Sequence, residues 1–194
     1  MSGVPMYFVR TNLCNLRCRW CDTTYSFSGG TDEKLDFLVM EALEVWEKWI
    51  CLTGGEPMLQ REAVEYMNRV TEGGKHILLE TGGSLDISRV VKIKETVIDM
   101  DIKCPSSGEH GSTKLSNLNF LRDTDYIKFV IQDQTDLQYA VKFLEDNRPE
   151  CSIVFQPTWG TASQWLATEI LKLRLDVRLM LQEHKYIFGD KRGV

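Results

Sequence analysis

Histidine is scarce in this chain, proline hardly more common, and long apolar runs are missing. Three histidines and five prolines occur among 194 residues. His76, His110 and His184 are scattered, so the paired histidines of many structural zinc sites are absent. No stretch approaches the roughly 20 apolar residues needed to cross a bilayer. The opening Met-Ser-Gly-Val-Pro-Met-Tyr-Phe-Val-Arg has no positively charged leader before a long apolar segment, so no signal peptide is expected. The expected compartment is the cytoplasm, with no membrane partner. Basic charge is also in deficit. With 23 Lys and Arg against 28 Asp and Glu, the net charge of −5 offers no overall footprint for nucleic acid.

Hydrophobic residues make up 43% and charged residues 26%, ordinary values for a globular protein, and the length predicts one domain over residues 1–194. Six cysteines are present. Cys14, Cys18 and Cys21 crowd one short segment, and such clustering points to metal or redox chemistry rather than disulfides. Cys51, Cys104 and Cys151 stand apart inside or beside apolar runs and read as small buried hydrophobes.

Short β-like runs alternate with helical patterns. The predicted strands are Met6–Val9, Trp49–Leu52, Ile77–Leu79, Val97–Ile102, Tyr126–Ile131, Ile153–Phe155 and Val177–Leu181. Between the first two lies a Cys- and Gly-rich loop over about residues 11–30. Asp32 is placed to cap a helix in which Leu35, Val39, Ala42, Leu43 and Trp46 recur at helical spacing. Further helices are predicted over about Arg61–Val70, from about Asp136 and over Ser163–Leu173. Trp46 and Trp49 read as packing residues, and Pro105–Ser116, rich in Ser and Gly, as a mobile loop. Strand, crossover, strand predicts a parallel α/β sheet, and about seven strands with some short crossovers predict an incomplete β/α barrel.

The strongest chemical signal is Cys14-Asn-Leu-Arg-Cys18-Arg-Trp-Cys21. Three thiolates on one loop can each bond one iron of a cubane cluster. With no fourth cysteine close in sequence, one iron stays open to another ligand. A structural zinc site wants four ligands, usually from paired short motifs, and a second pair is lacking. Thr53-Gly54-Gly55-Glu56-Pro57 follows the second predicted strand, where glycines let backbone approach a ligand closely. Thr81-Gly82-Gly83 repeats the arrangement after the third.

The cysteine spacing, placed after a first strand and with Trp20 just before the third cysteine, resembles the radical S-adenosylmethionine (SAM) superfamily. Further segments narrow the resemblance to the 7-carboxy-7-deazaguanine synthase family: Phe8-Val9-Arg10, Cys21-Asp22-Thr23, Asp101-Ile102-Lys103-Cys104-Pro105-Ser106-Ser107-Gly108, Tyr126-Ile127-Lys128-Phe129-Val130-Ile131, Phe155-Gln156-Pro157 and Gln182-Glu183-His184-Lys185-Tyr186. The resemblance implies a [4Fe–4S] cluster on the three cysteines, SAM on its open iron, and magnesium at Thr23. It implies SAM contacts at Trp20, Cys21, Asp22, Gly54, Gly55, Glu56, Thr81, Asp101, Lys103 and Gln156. Substrate contacts are implied at Arg10, Thr53 and His184, with Arg10 meeting a carboxylate. The family's reaction converts 6-carboxytetrahydropterin to 7-carboxy-7-deazaguanine. A 5′-deoxyadenosyl radical from reductive SAM cleavage takes hydrogen from the pterin C6, the ring contracts with loss of ammonia, and SAM is regenerated. An electron donor of flavodoxin or ferredoxin type and a homodimer are implied as partners.

His76 and His110 read as structural or surface residues, and Trp159 either shields the site or packs. Family members carry a Ser-Ile-Gln-Gly-Glu-Gly-like segment before the first strand. Only Met1–Pro5 precedes it here, so the chain as given is expected to bind pterin weakly, with SAM less affected. Rival readings are a radical SAM activase that makes a glycyl radical on a partner protein, a non-catalytic iron–sulfur or zinc module, and a degenerate enzyme serving as an interaction protein.

Overall fold

The computed structural model describes residues 2–189 and 191. Seven strands form one sheet in chain order: β1 (Met6–Thr11), β2 (Trp49–Gly54), β3 (His76–Thr81), β4 (Thr96–Ile102), β5 (Tyr126–Ile131), β6 (Ser152–Pro157) and β7 (Arg178–Leu179). Every neighbouring pair is parallel. β1 and β7 are not paired with each other, so the sheet curls without closing, the incomplete barrel that the strand count predicts.

Parallel strands need crossovers, and five helices accompany the sheet: α1 (Leu35–Glu44), α2 (Ala63–Glu72), α3 (Gln134–Asn147), α4 (Ser163–Leu173) and α5 (Glu183–Phe188). Between β3 and β4, and again between β4 and β5, only short 3-10 turns intervene, at Val90–Lys92, Pro105–Ser107 and Leu115–Phe120. The strands bury the apolar faces of α1 to α4. Met67 and Val70 of α2, Leu137 and Ala140 of α3 and Leu166 of α4 are fully buried against Ile77, Leu79, Ile127 and Phe155. Phe129 meets Phe143 and Phe155 edge-on at 5.5 and 5.6 Å, a geometry that aromatic quadrupoles favour. Cys51, Cys104 and Cys151 are buried, as their apolar surroundings predict.

Several local expectations are corrected. Asp32 does not cap α1: Lys34 occupies that position without a side-chain cap, and the loop runs on past Gly29 and Gly30. α1 stops at Glu44 because Val45 turns extended, which leaves Trp46 79% exposed rather than packed. Trp49 does pack, stacking on His76 at 4.8 Å. The last strand shrinks from five predicted residues to Arg178–Leu179, since it lies at the sheet edge with β6 as its single neighbour. The segment 105–116 is tied down. Lys114 N–H donates to Gly83 O, and the buried Asn117 just beyond donates to Gly83 O and Leu85 O. α3 begins earlier than predicted because Asp133 accepts from Thr135 N and Asp136 N, a capping residue hidden in an ordinary turn.

Candidate functional site

At the C-terminal ends of the strands lies a cleft of about 1010 Å³. It is lined by all of the residues singled out above for cluster, SAM, magnesium and substrate. The sequence scatters them from Arg10 to His184; the parallel sheet collects them because successive strands all end on one side.

Burial alternates along the cysteine loop. Leu13, Asn15, Arg17 and Arg19 face outward, whereas Cys14, Leu16, Cys18 and Trp20 turn inward. Two braces hold it. On one side Gly55 N–H donates to Thr11 O (3.0 Å), Glu56 N–H to Leu13 O (2.8 Å) and the Gln60 amide to Asn12 O (2.7 Å). A Cβ at Gly55 would lie 2.0 Å from Leu13 O, so the glycine there lets the cysteine loop, more than a ligand, come close. On the other side Arg19 N–H donates to Ser107 O (2.9 Å), and the Trp20 indole donates to the Ser106 hydroxyl (3.1 Å). Ser106 is fixed in turn by the fully buried Asp136, which also accepts from Gln132 N. Arg17 closes the loop on itself, donating to Cys14 O and Leu16 O with its guanidinium 4.6 Å over the Phe27 ring.

The donor set fits an iron–sulfur cluster. All three thiols are free, half-buried and on the cleft wall. Burial pushes the Cys18 thiol up, with the Lys103 ammonium pulling against it. Among the described residues, no three His, Cys, Asp or Glu side chains converge closely enough to hold a single metal ion.

Glu56 is 1% exposed, and its carboxylate accepts from Met58 N–H, Gly82 N–H (2.7 Å) and the Thr81 hydroxyl (2.8 Å). Burial raises its pKa above the ordinary value even so, the three hydrogen bonds opposing. The side chain thus joins the loops after β2 and β3, leaving backbone to face a ligand.

On the floor, Lys103 is buried and pairs with Asp101 at 2.6 Å, with its ammonium 5.7 Å from the Trp20 ring. Burial alone would raise Asp101, but Lys103 and Lys128 outweigh it and hold the carboxyl below its usual range. Thr53 is buried and donates to Glu80 at 2.9 Å. Arg10 lies level with Thr53 on the adjoining strand, exposed, its guanidinium 5.8 Å from the Tyr25 ring. Gln156 stands half-buried on β6. At the rim, His184 of α5 approaches Asp22 of the cysteine loop at 3.7 Å, and Trp159 meets Tyr186 edge-on at 5.1 Å. His76 pairs with Glu95 and His110 packs against Tyr139, both structural positions.

Three charged floor residues escaped notice as functional: Glu80, Asp99 and Lys128. A signal existed. Each sits between buried neighbours on its strand, as in Leu79-Glu80-Thr81, Ile98-Asp99-Met100 and Ile127-Lys128-Phe129, and a charge in that position must face an interior cavity or a partner.

The Radical SAM superfamily model matches residues 8–110. The chain is 44% identical to a 7-carboxy-7-deazaguanine synthase of Thermoplasma acidophilum over 193 residues, covering 100% of this chain and 92% of the relative. It is 39% identical to another of that name from Koribacter versatilis, over all of this chain and 93% of the relative. Among solved structures, Escherichia coli QueE superposes with a TM-score of 0.73 at 19% identity, covering 93% of this chain and 86% of that one. Streptococcus suis SuiB bound to S-adenosylmethionine gives 0.64 at 12% identity, covering 93% of this chain and 51% of that one. At those identities the two structures speak to the fold.

Proposed function

This chain belongs to the 7-carboxy-7-deazaguanine synthase family of the radical SAM superfamily, and from that membership we propose that it converts 6-carboxytetrahydropterin to 7-carboxy-7-deazaguanine in deazapurine biosynthesis. The observation that carries the reading is the gathering of all the family-matched residues around one cleft. Cys14, Cys18 and Cys21 would hold the [4Fe–4S] cluster. When bound, the cluster and SAM supply a 5′-deoxyadenosyl radical able to take hydrogen from an unactivated carbon.

The protein's own work is binding, orientation and exclusion of water. The Arg10 guanidinium offers paired donors to the substrate carboxylate from the open end of β1. Thr53 has committed its proton to Glu80, so towards a ligand its oxygen can only accept, which suits a ring N–H. The Gly54–Gly55 and Thr81–Gly82 backbones, fixed by Glu56, frame the methionyl end of SAM, while Trp20, Asp22, Asp101, Lys103 and Gln156 line the rest of its site. His184 reaches the substrate from α5, which lies across the rim. Thr23 presents a hydroxyl beside Cys21, at 3.6 Å from its sulfur, where magnesium would complete its shell with substrate oxygens and water. The reductant would be a flavodoxin- or ferredoxin-type protein, and the working assembly a homodimer. No helix among the described residues is long and apolar enough to cross a membrane.

The test is anaerobic reconstitution with iron and sulfide, followed by dithionite, SAM, magnesium and 6-carboxytetrahydropterin. Mass spectrometry should find 7-carboxy-7-deazaguanine with no net loss of SAM. SAM cleavage without the deazapurine would keep the superfamily chemistry and overturn the substrate.

A further inference from the structure

Five charged side chains meet on the cleft floor: Glu80 from β3, Asp99 and Asp101 from β4, Lys103 just beyond it and Lys128 from β5. Lys128 is their centre. Its ammonium lies 3.0 Å from Asp99, 3.5 Å from Asp101 and 4.0 Å from Glu80. The second oxygens of two of these partners are also engaged. Glu80 Oε2 accepts from the Thr53 hydroxyl, and Asp101 Oδ2 pairs with Lys103. A chain of contacts therefore runs Thr53–Glu80–Lys128–Asp101–Lys103 across four adjacent strands and the turn after β4, with hydrogen bonds at its two ends and ion pairs of 4.0 and 3.5 Å at Lys128 in its middle.

The two ends of that chain are the residues placed above on the substrate and on SAM. We propose that Lys128 is a positioning residue that ties the two half-sites together, holding Glu80 and Asp101 in fixed places with Asp99 as its buried anchor, so that pterin and SAM bind cooperatively. The inference rests on the function proposed above.

The chemistry supports a fixed cation rather than a proton donor. Burial works against the charged ammonium, but the three surrounding carboxylates outweigh it and drive the Lys128 pKa well up. Without that cation, Lys103 alone would face three carboxylates. Asp99 is already pushed up by burial, with Lys128 pulling it back, and Asp99 Oδ1 has no hydrogen-bond partner among the described residues. Glu80 would then swing, and Thr53 would lose a fixed acceptor. Asp101 would keep only Lys103, whose orientation against the Trp20 ring depends on it.

The experiment compares Lys128→Met and Lys128→Arg with Thr53→Val and Lys103→Met, all reconstituted anaerobically and left unreduced. Affinities for SAM and for 6-carboxytetrahydropterin are measured, each with and without the other. Lys128→Met is expected to weaken both ligands by about tenfold and to abolish their mutual enhancement. Lys128→Arg, which keeps the charge, should recover most of both. Thr53→Val is expected to weaken pterin alone, and Lys103→Met SAM alone. If Lys128→Met does not fold, as judged by circular dichroism, the charge-balanced Asp99→Asn/Lys128→Met pair takes its place with the same expected outcome. Unchanged cooperativity in a Lys128 variant, while the two flanking variants show their one-sided losses, overturns this inference and leaves the proposed function standing. If pterin does not bind wild type in either condition, the function fails first and the coupling with it.

Discussion

Glu56 shows how much one side chain can hold. Its carboxylate satisfies three donors, from the turn after β2 and from the end of β3, and Glu56→Ala would leave all three without this acceptor. The expected cost is about 2–4 kcal/mol, read as a lower urea midpoint. The pH response has a defined sign. Because burial raises the folded pKa above 4.5, the neutral acid is the form the fold prefers. Its contribution is full below pH 4.5 and is lost as pH rises through the elevated value. Glu56→Gln cannot titrate, so its stability should decline less than wild type over that window; parallel pH curves would count against this account. Trp46 is the opposite case. At 79% exposure, Trp46→Gln should leave stability within about 0.5 kcal/mol of wild type. The helical spacing that made it look like a core residue ended two positions earlier, and no local signal marked where α1 would stop.

At the scale of elements, the cysteine loop depends on its neighbours more than on itself. It has no regular hydrogen-bond ladder, and the loop after β2 and the turn after β4 hold it from two sides. Gly55→Ala should therefore act at a distance. The added methyl meets Leu13 O and the Cys14 Cβ, so the first thiol must move. The variant should retain its helical and strand content by circular dichroism but take up much less iron and sulfide on reconstitution than wild type. Normal cluster loading would show that the loop can yield. The strands themselves were legible to within one or two residues wherever both neighbours were present, because buried parallel strands read as apolar runs. β7 was legible at the right place but too long, Val177–Leu181 against Arg178–Leu179, because it has a neighbour on one side only. α5 was not legible at all, since it buries none of its side chains and carries no apolar stripe.

Across the whole molecule, the open barrel explains why so much of the site could be read in advance. A parallel sheet sends every strand end to one side, so motifs recognised separately at Arg10, Thr53, Thr81, Asp101 and Gln156 had to meet. What stayed hidden was the charge balance beneath them. Asp99 and Lys128 are single letters in apolar runs, and only pairing across strands reveals that they neutralise each other. The same topology leaves α5 as a separable rim. Removing residues 183–194 should preserve the cooperative unfolding of the sheet while sharply reducing pterin turnover, since α5 supplies His184 but none of the buried core. Loss of the folded state on truncation would mean that α5 supports the barrel after all.

The most direct measurement is the EPR spectrum of the reduced, anaerobically reconstituted protein, recorded before and after SAM is added. An iron left free by three thiolates should accept the methionyl amine and carboxylate, and the spectrum should change on addition, with Cys18→Ala failing to assemble the cluster. A cubane whose spectrum is indifferent to SAM, or one that forms equally well without Cys18, would contradict the account at its root.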